Sequence, residues 1–320
     1  MVEMQAAQLR RFGGPEVLEV ATVQRPEPGP GEVLVRVAAS GVNPHDAFVR
    51  QETLKWQTGR RFPLGVGLDF AGEVISTGDQ VDETVTGNRV WGMVSPPQGH
   101  RTAAAAQFVA VPADRVAPFP QRLSMVEAAS LVTSATTAVH ALCDIAKMQA
   151  GARVLVRGAA GGVGMVVVQL AHALGGHVTA LASARDADFV ARCGADEVLD
   201  YRTAAARGLG PFDVIIDTAG PGMLAFQRRL ARGGRMITIN FGSGPALAAI
   251  GVSTVFGARR IRTFAGYPDT PLLEQTAEHV RSGAMNPAVG NVYPLADIVD
   301  AHHALAASHS PGKLVLDLTR

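Results

Sequence analysis

Lysine is nearly missing from this chain: among 29 basic residues only Lys55, Lys147 and Lys313 are lysine, so almost every anion has to be met by arginine. An excess of either charge is missing too. The formal net charge is +1 with both signs interspersed, which gives no electrostatic footprint for nucleic acid. The two cysteines, Cys143 and Cys193, are too few for a disulfide framework or a multi-cysteine metal site, and each is expected to pack as a small apolar side chain. The stretch MVEMQAAQLRRFGG has no apolar centre of the kind a secretory signal needs, and a cytoplasmic protein is expected. The most apolar run, from Gly158 to Gly176, begins almost entirely in Gly and Ala and is interrupted by Gln169 and His172, which makes it a poor membrane span.

The chain does have length and apolar substance. At 320 residues, 47% hydrophobic and 18% charged, it is globular and long enough for two domains. Up to about residue 120 the texture is all-β: short β-branched runs such as VLVRV (33 to 37) and those at 72 to 75, 89 to 91 and 108 to 111 are separated by Pro/Gly turns, as in a small barrel. From Ser124 it changes. That residue is placed to cap a helix over 124 to 146 with Glu127 as its capping-box partner. Strands (153 to 156, 177 to 181, 197 to 199, 213 to 217, 235 to 239) then alternate with helices (162 to 174, 186 to 193, 222 to 231), the pattern of a parallel sheet covered on both faces. The terminal run KLVLDL (313 to 318) is expected to rejoin the first domain.

One stretch organises the rest. ARVLVRGAAGGVGMVVVQLAHALGG (152 to 176) reads strand, tight turn, helix, with Gly158, Gly161 and Gly164 three apart. Glycine there lets the main chain close on a diphosphate, and the helix N-terminus offers free N–H groups and a partial positive charge. The next strand runs out as Leu181, Ala182, Ser183, Ala184, Arg185, with no acid at its tip to accept ribose hydroxyls. Ser183, Arg185 and Tyr201 are therefore candidates to hold a 2′-phosphate, which favours NADPH over NADH. A second reading makes Ser183 a helix cap and Arg185 a surface residue, with Asp186 and Asp188 as ion-pair partners.

The segments GPGEVLVRVAASGVNPHD (29 to 46), FPLGVGLDFAGEV (62 to 74), AAGGVG (159 to 164), GADEVLDYR (194 to 202) and GKLVL (312 to 316), in this order, resemble a zinc-independent medium-chain dehydrogenase/reductase of the quinone oxidoreductase, zeta-crystallin-like type. The resemblance runs nearly end to end. It implies an α/β fold in which a GroES-like β-barrel domain (1–122 and 285–320) accompanies a Rossmann doubly wound parallel sheet domain (123–284), with NADPH in the cleft. It implies that Gly161, Gly162, Val163 and Gly164 cradle the diphosphate, that Ser183, Arg185 and Tyr201 hold the 2′-phosphate, that Asn43 and Thr137 approach the nicotinamide end, and that main chain near Asn240, Phe241 and Phe264 lines the nicotinamide pocket. Relatives often carry Lys after Ser183; here the segment reads ARDAD, so the clamp depends on Arg185. Relatives commonly dimerise, and the apolar segment Ile250 to Phe264 is the expected contact.

Zinc-using alcohol dehydrogenase cousins carry Cys at the position of Asn43, His at that of Leu68 and Cys near Thr133. None of the residues present replaces a thiolate or an imidazole, so no catalytic metal is expected. Without a metal to polarise a carbonyl, the acceptors expected are small electron-poor molecules, quinones and α,β-unsaturated carbonyls. Asn43 is the candidate side-chain donor near the reacting centre and His45 the candidate proton relay. Two alternatives stay open: a reductase dedicated to one biosynthetic enone or imine, and a protein that keeps NADPH with little turnover.

Overall fold

The structure, a computed structural model, describes residues 2–54, 58–59, 61–94, 103–204, 206–240, 244–255, 259–264, 267–307 and 311–320. Two compact units emerge: Met1–Thr133 with Tyr267–Glu278 and Pro287–Arg320, and Ser134–Gly266 with His279–Asn286. These bounds differ from the expected ones at both joins. The first falls inside the helix Met125–Val139, because Thr133 hydrogen-bonds Asp69 in the first unit. The segment from Tyr267 belongs to the first unit through Arg115 Nη1, which donates to Tyr267 O at 2.7 Å, and Thr270 Oγ1, which donates to Val116 O at 2.8 Å.

The first unit is β-rich. A three-stranded sheet runs Leu18–Gln24, Glu3–Leu9, Leu64–Gly65. A seven-stranded sheet runs Val289–Pro294, Lys313–Asp317, Glu32–Gly41, Asp69–Thr77, Arg89–Met93, Val116–Pro118, with Phe108–Pro112 also paired to Glu32–Gly41. The late strand does rejoin the early ones, since Val315 faces Gly41 and Asp317 faces Ala39 in antiparallel register. Alternation explains the core: Val33, Val35 and Val37 point inward with Phe70, Val74 and Val109, while Arg36 faces out and pairs Glu73 at 2.9 Å.

The second unit carries a six-stranded, wholly parallel sheet in the order Glu197–Asp200, His177–Ala182, Arg153–Arg157, Phe212–Asp217, Leu230–Thr238, Arg260–Arg262. Its central strands are buried on both faces, so they read as continuous apolar runs; Val154, Leu155 and Val156 are fully buried. This is the doubly wound sheet expected, and Arg260–Arg262 forms one of its edges.

Two elements depart from expectation. The helix ends at Val139, and His140–Ile145 continue as a π-helix whose last carbonyls are taken by Arg235 Nη1, at 2.5 Å from Ile145 O and 3.2 Å from Ala146 O. The helix expected over 222 to 231 shrinks to Met223–Gln227. Its remainder joins the strand Leu230–Thr238, whose register slips between the pairs Phe212↔Leu230 and Val214↔Arg235, and Gly233 at φ +86° supplies the kink.

Candidate functional site

The three glycines of the turn do different jobs. Gly158 has φ +74°, and a Cβ there would lie 2.3 Å from Thr218 Oγ1. At Gly164 a Cβ would lie 2.1 Å from Gly158 O, so this glycine lets the helix Gly162–Ala173 close on the turn. Gly161 is different. A Cβ there would touch only Gly158 O, at an ordinary 3.4 Å, so no protein packing demands glycine. Gly161 is exposed, N-caps the helix and supplies no side chain to it, and first-turn N–H groups of a helix have no partner within it. A cradle that a side chain would fill, under a helix N-terminus, fits a dinucleotide diphosphate.

At the next strand end Ser183 is buried and Tyr201 is exposed. Ala182 pairs Asp200, and Tyr201 N donates to Ala182 O at 3.1 Å, so the two strand tips lie side by side. Arg185, 55% exposed, stands two residues beyond Ser183. The sequence therefore brings Ser183, Arg185 and Tyr201 to one sheet corner. Asp186 stands there as well: its Oδ2 accepts from Ser183 Oγ at 2.5 Å, and its Oδ1 is 3.5 Å from Arg185 Nε.

The residues expected at the nicotinamide end are brought together less completely. Asn240 is half-buried, donating from Nδ2 to Ala219 O at 3.2 Å while its main-chain carbonyl accepts from Thr238 Oγ1 at 3.1 Å. Thr137 is half-buried on its helix. Phe264 packs edge-on against His140, with ring centroids 4.7 Å apart, and His140 Nδ1 lies 2.7 Å from Asp144 Oδ2. Phe241 lies outside the described residues.

The first unit holds a buried polar cluster. Asn43 opens the helix Pro44–Arg50, and its amide is used at both ends. Nδ2 donates to Gly41 O at 3.2 Å and Asp69 Oδ2 at 3.1 Å, and Oδ1 accepts from Lys313 Nζ. Lys313 Nζ also lies 3.6 Å from Asp69 Oδ2, and Thr133 Oγ1 donates to Asp69 Oδ1. This geometry assigns Asn43 to holding the cluster together; as a donor to substrate it has no hydrogen left over.

Asp46 is fully buried, accepting from Asn43 N at 2.8 Å and Gly67 N at 3.2 Å, yet burial pushes its pKa up to about 7 because desolvation outweighs those bonds. His45 beside it is different again. Neither ring nitrogen finds a hydrogen-bond partner among the described residues, and burial lowers its pKa, with the Asp69 charge opposing.

A second buried pair escaped the sequence. Arg157 ends the strand before the glycine turn, and its Nη1 lies 2.8 Å from Asp217 Oδ1 on the neighbouring strand. Asp217 Oδ1 also accepts from Ala219 N and Gly220 N at 3.1 and 3.0 Å, while Arg157 Nη2 donates to Pro221 O at 2.5 Å. Desolvation lowers the Arg157 pKa and raises that of Asp217. The pair fixes the loop 218–221 against the turn; Thr218 Oγ1 completes it by donating to Arg157 O at 2.7 Å.

Comparison with known proteins gives the family. The chain is 31% identical to a quinone oxidoreductase of Sus scrofa, over 98% of this chain and 97% of that one. It belongs to the quinone oxidoreductase family of medium-chain dehydrogenase/reductases. A quinone-oxidoreductase homolog of Spinacia oleracea chloroplasts is 29% identical over 95% of each chain. The solved quinone oxidoreductase of Coxiella burnetii superposes with TM-score 0.90 at 28% identity, covering 99% of this chain and 100% of that one. Residues 29–121 match the alcohol dehydrogenase GroES-like domain and 193–316 a family described as zinc-binding dehydrogenase. The fold is thus a GroES-like unit with a Rossmann-type parallel sheet, in a family of pyridine-nucleotide oxidoreductases that act on small molecules.

Proposed function

We propose that this quinone oxidoreductase family member is an NADPH-dependent, zinc-independent reductase that delivers hydride to quinones or to α,β-unsaturated carbonyls. The observation that carries the reading is the Lys313 ammonium bonded to Asn43 and 3.6 Å from Asp69. A divalent cation at this place would meet a fixed positive charge and would lack thiolate and imidazole donors. Without a Lewis acid, the acceptors that take hydride most readily are those already electron-poor.

In this reading Gly161, Gly162, Val163 and Gly164 hold the diphosphate and Ser183, Arg185 and Tyr201 the 2′-phosphate. Thr137, Asn240, Phe241 and Phe264 hold the nicotinamide end, and Asn43 keeps the neighbouring cluster rigid. Bound NADPH supplies the hydride. His45, neutral at pH 7 because burial lowers its pKa, offers a ring N–H to the acceptor oxygen on which negative charge grows. The reading includes a cytoplasmic homodimer joined along the edge strand Arg260–Arg262.

The test is oxidation of NADPH, followed by the absorbance of the reduced nicotinamide, against quinones, enones and simple aldehydes, with and without a chelator. Turnover of quinones or enones that ignores the chelator supports the reading. Tight NADPH binding with no turnover on any acceptor assigns a binding protein instead, and loss of activity on chelation overturns zinc independence.

A further inference from the structure

We propose that Asp186 is a specificity-determining residue that competes with the cofactor's 2′-phosphate for Ser183 and Arg185, so that this enzyme discriminates NADPH from NADH less sharply than its Ser/Arg corner alone would allow. The inference rests on the NADPH reading given above.

Both donors available to a 2′-phosphate from this loop are engaged by one carboxylate. Ser183 has a single hydroxyl hydrogen, and it is directed at Asp186 Oδ2 at 2.5 Å. Arg185 lies with Nε 3.5 Å from Asp186 Oδ1. The Asp186 side chain is only 14% exposed, so water replaces neither contact cheaply. Its backbone is held as well, with Asp186 N donating to Ser183 O at 2.9 Å, so the carboxylate stays where the loop sets it.

A 2′-phosphate that takes Ser183 and Arg185 must turn the hydroxyl hydrogen away from Asp186, draw the guanidinium off it and then lie beside a carboxylate of its own sign. A ribose with a free 2′-hydroxyl asks for none of this. It leaves Ser183 satisfied and the Arg185 charge balanced. Asp186 therefore acts on one cofactor and spares the other.

The conservative variant Asp186→Asn keeps an acceptor oxygen for Ser183 and removes the charge. The probes are adenosine 2′,5′-bisphosphate and 5′-AMP, binding measured by titration calorimetry on the full chain, with Arg185→Ala and Asp186→Ala in parallel. Asp186→Asn is expected to tighten the bisphosphate about tenfold or more and to leave 5′-AMP within about twofold. Unchanged 5′-AMP binding also reports that each variant is folded.

Bisphosphate binding that weakens in both Asp186 variants makes Asp186 a residue that pre-positions the clamp, and overturns the proposal. Binding that does not change in them overturns it equally. If Arg185→Ala leaves the bisphosphate as tight as before, the 2′-phosphate reading itself falls and takes the proposal with it. If Arg185→Ala weakens it while Asp186→Asn does nothing, only the proposal falls.

Discussion

Lys313 and Asn43, separated by 270 positions, meet in the interior of the first unit, where the ammonium donates to the amide oxygen. The same ammonium lies 3.6 Å from Asp69, whose side chain is fully buried, so one late lysine sets its charge beside a carboxylate held away from water.

Lys313→Met should lower stability by about 3 kcal/mol, because it strands Asp69 and the Asn43 oxygen. Adding Asp69→Asn should recover part of that loss, because the stranded charge goes. Urea unfolding of the wild type, both single variants and the double variant measures the coupling. A Lys313→Met protein as stable as wild type would mean that the ammonium contributes nothing to this interior.

Gly161 and Gly164 should separate fold from ligand. Gly164→Ala forces a Cβ to 2.1 Å from a carbonyl and is expected to cost about 2 kcal/mol or more. Gly161→Ala meets only a 3.4 Å contact and should stay within about 1 kcal/mol of wild type while weakening dinucleotide binding. Thermal melts and cofactor titration on the two variants decide it.

Arg185→Ala should raise the KM for NADPH at least about tenfold and scarcely change that for NADH, a charge-assisted contact being worth about this much. Steady-state kinetics with both cofactors provide the check. Equal effects on the two would remove the 2′-phosphate role.

Asp46 should leave a mark on the pH dependence of stability. Its folded pKa is raised to about 7 from 3.8, so the folded state binds its proton more tightly than the unfolded chain does. That contribution is fully present below pH 3.8 and is lost as pH rises through about 7. Melting temperatures of wild type and Asp46→Asn across this window should therefore converge or diverge steadily, wild type losing ground to the variant as pH rises. Parallel curves would show that Asp46 titrates normally.

What the sequence revealed depended on range. The glycine turn was legible because strand, turn and helix are contiguous, and so were Ser124 and Glu127, which exchange their capping bonds at 2.8 and 3.2 Å over three residues. Ser183, Arg185 and Tyr201 were placed because they follow consecutive strands. The competing account of Arg185, with Asp186 as its partner, is the contact the structure contains.

Lys313 could not be read. A lone lysine in GKLVL carries no sign that its partner lies near residue 43. Arg157 and Asp217 hid for a related reason, as each ends an apolar strand and looks like its boundary until parallel register sets them abreast. The helix expected over 222 to 231 overran because local periodicity competed with strand pairing at Leu230, and the pairing won.

The strand Lys313–Asp317 is inserted between Val289–Pro294 and Glu32–Gly41, which has a consequence for biosynthesis. A ribosome releases Ala39 to Gly41 long before the segment that must hydrogen-bond them, so nascent chains carry an open seam there until residues 315 to 317 emerge. The parallel sheet of the second unit, whose six strands all lie between residues 153 and 262, meets no such delay. Vectorial synthesis thus favours a nascent protein whose parallel sheet matures before Ala39 to Gly41 meet their late partner strand.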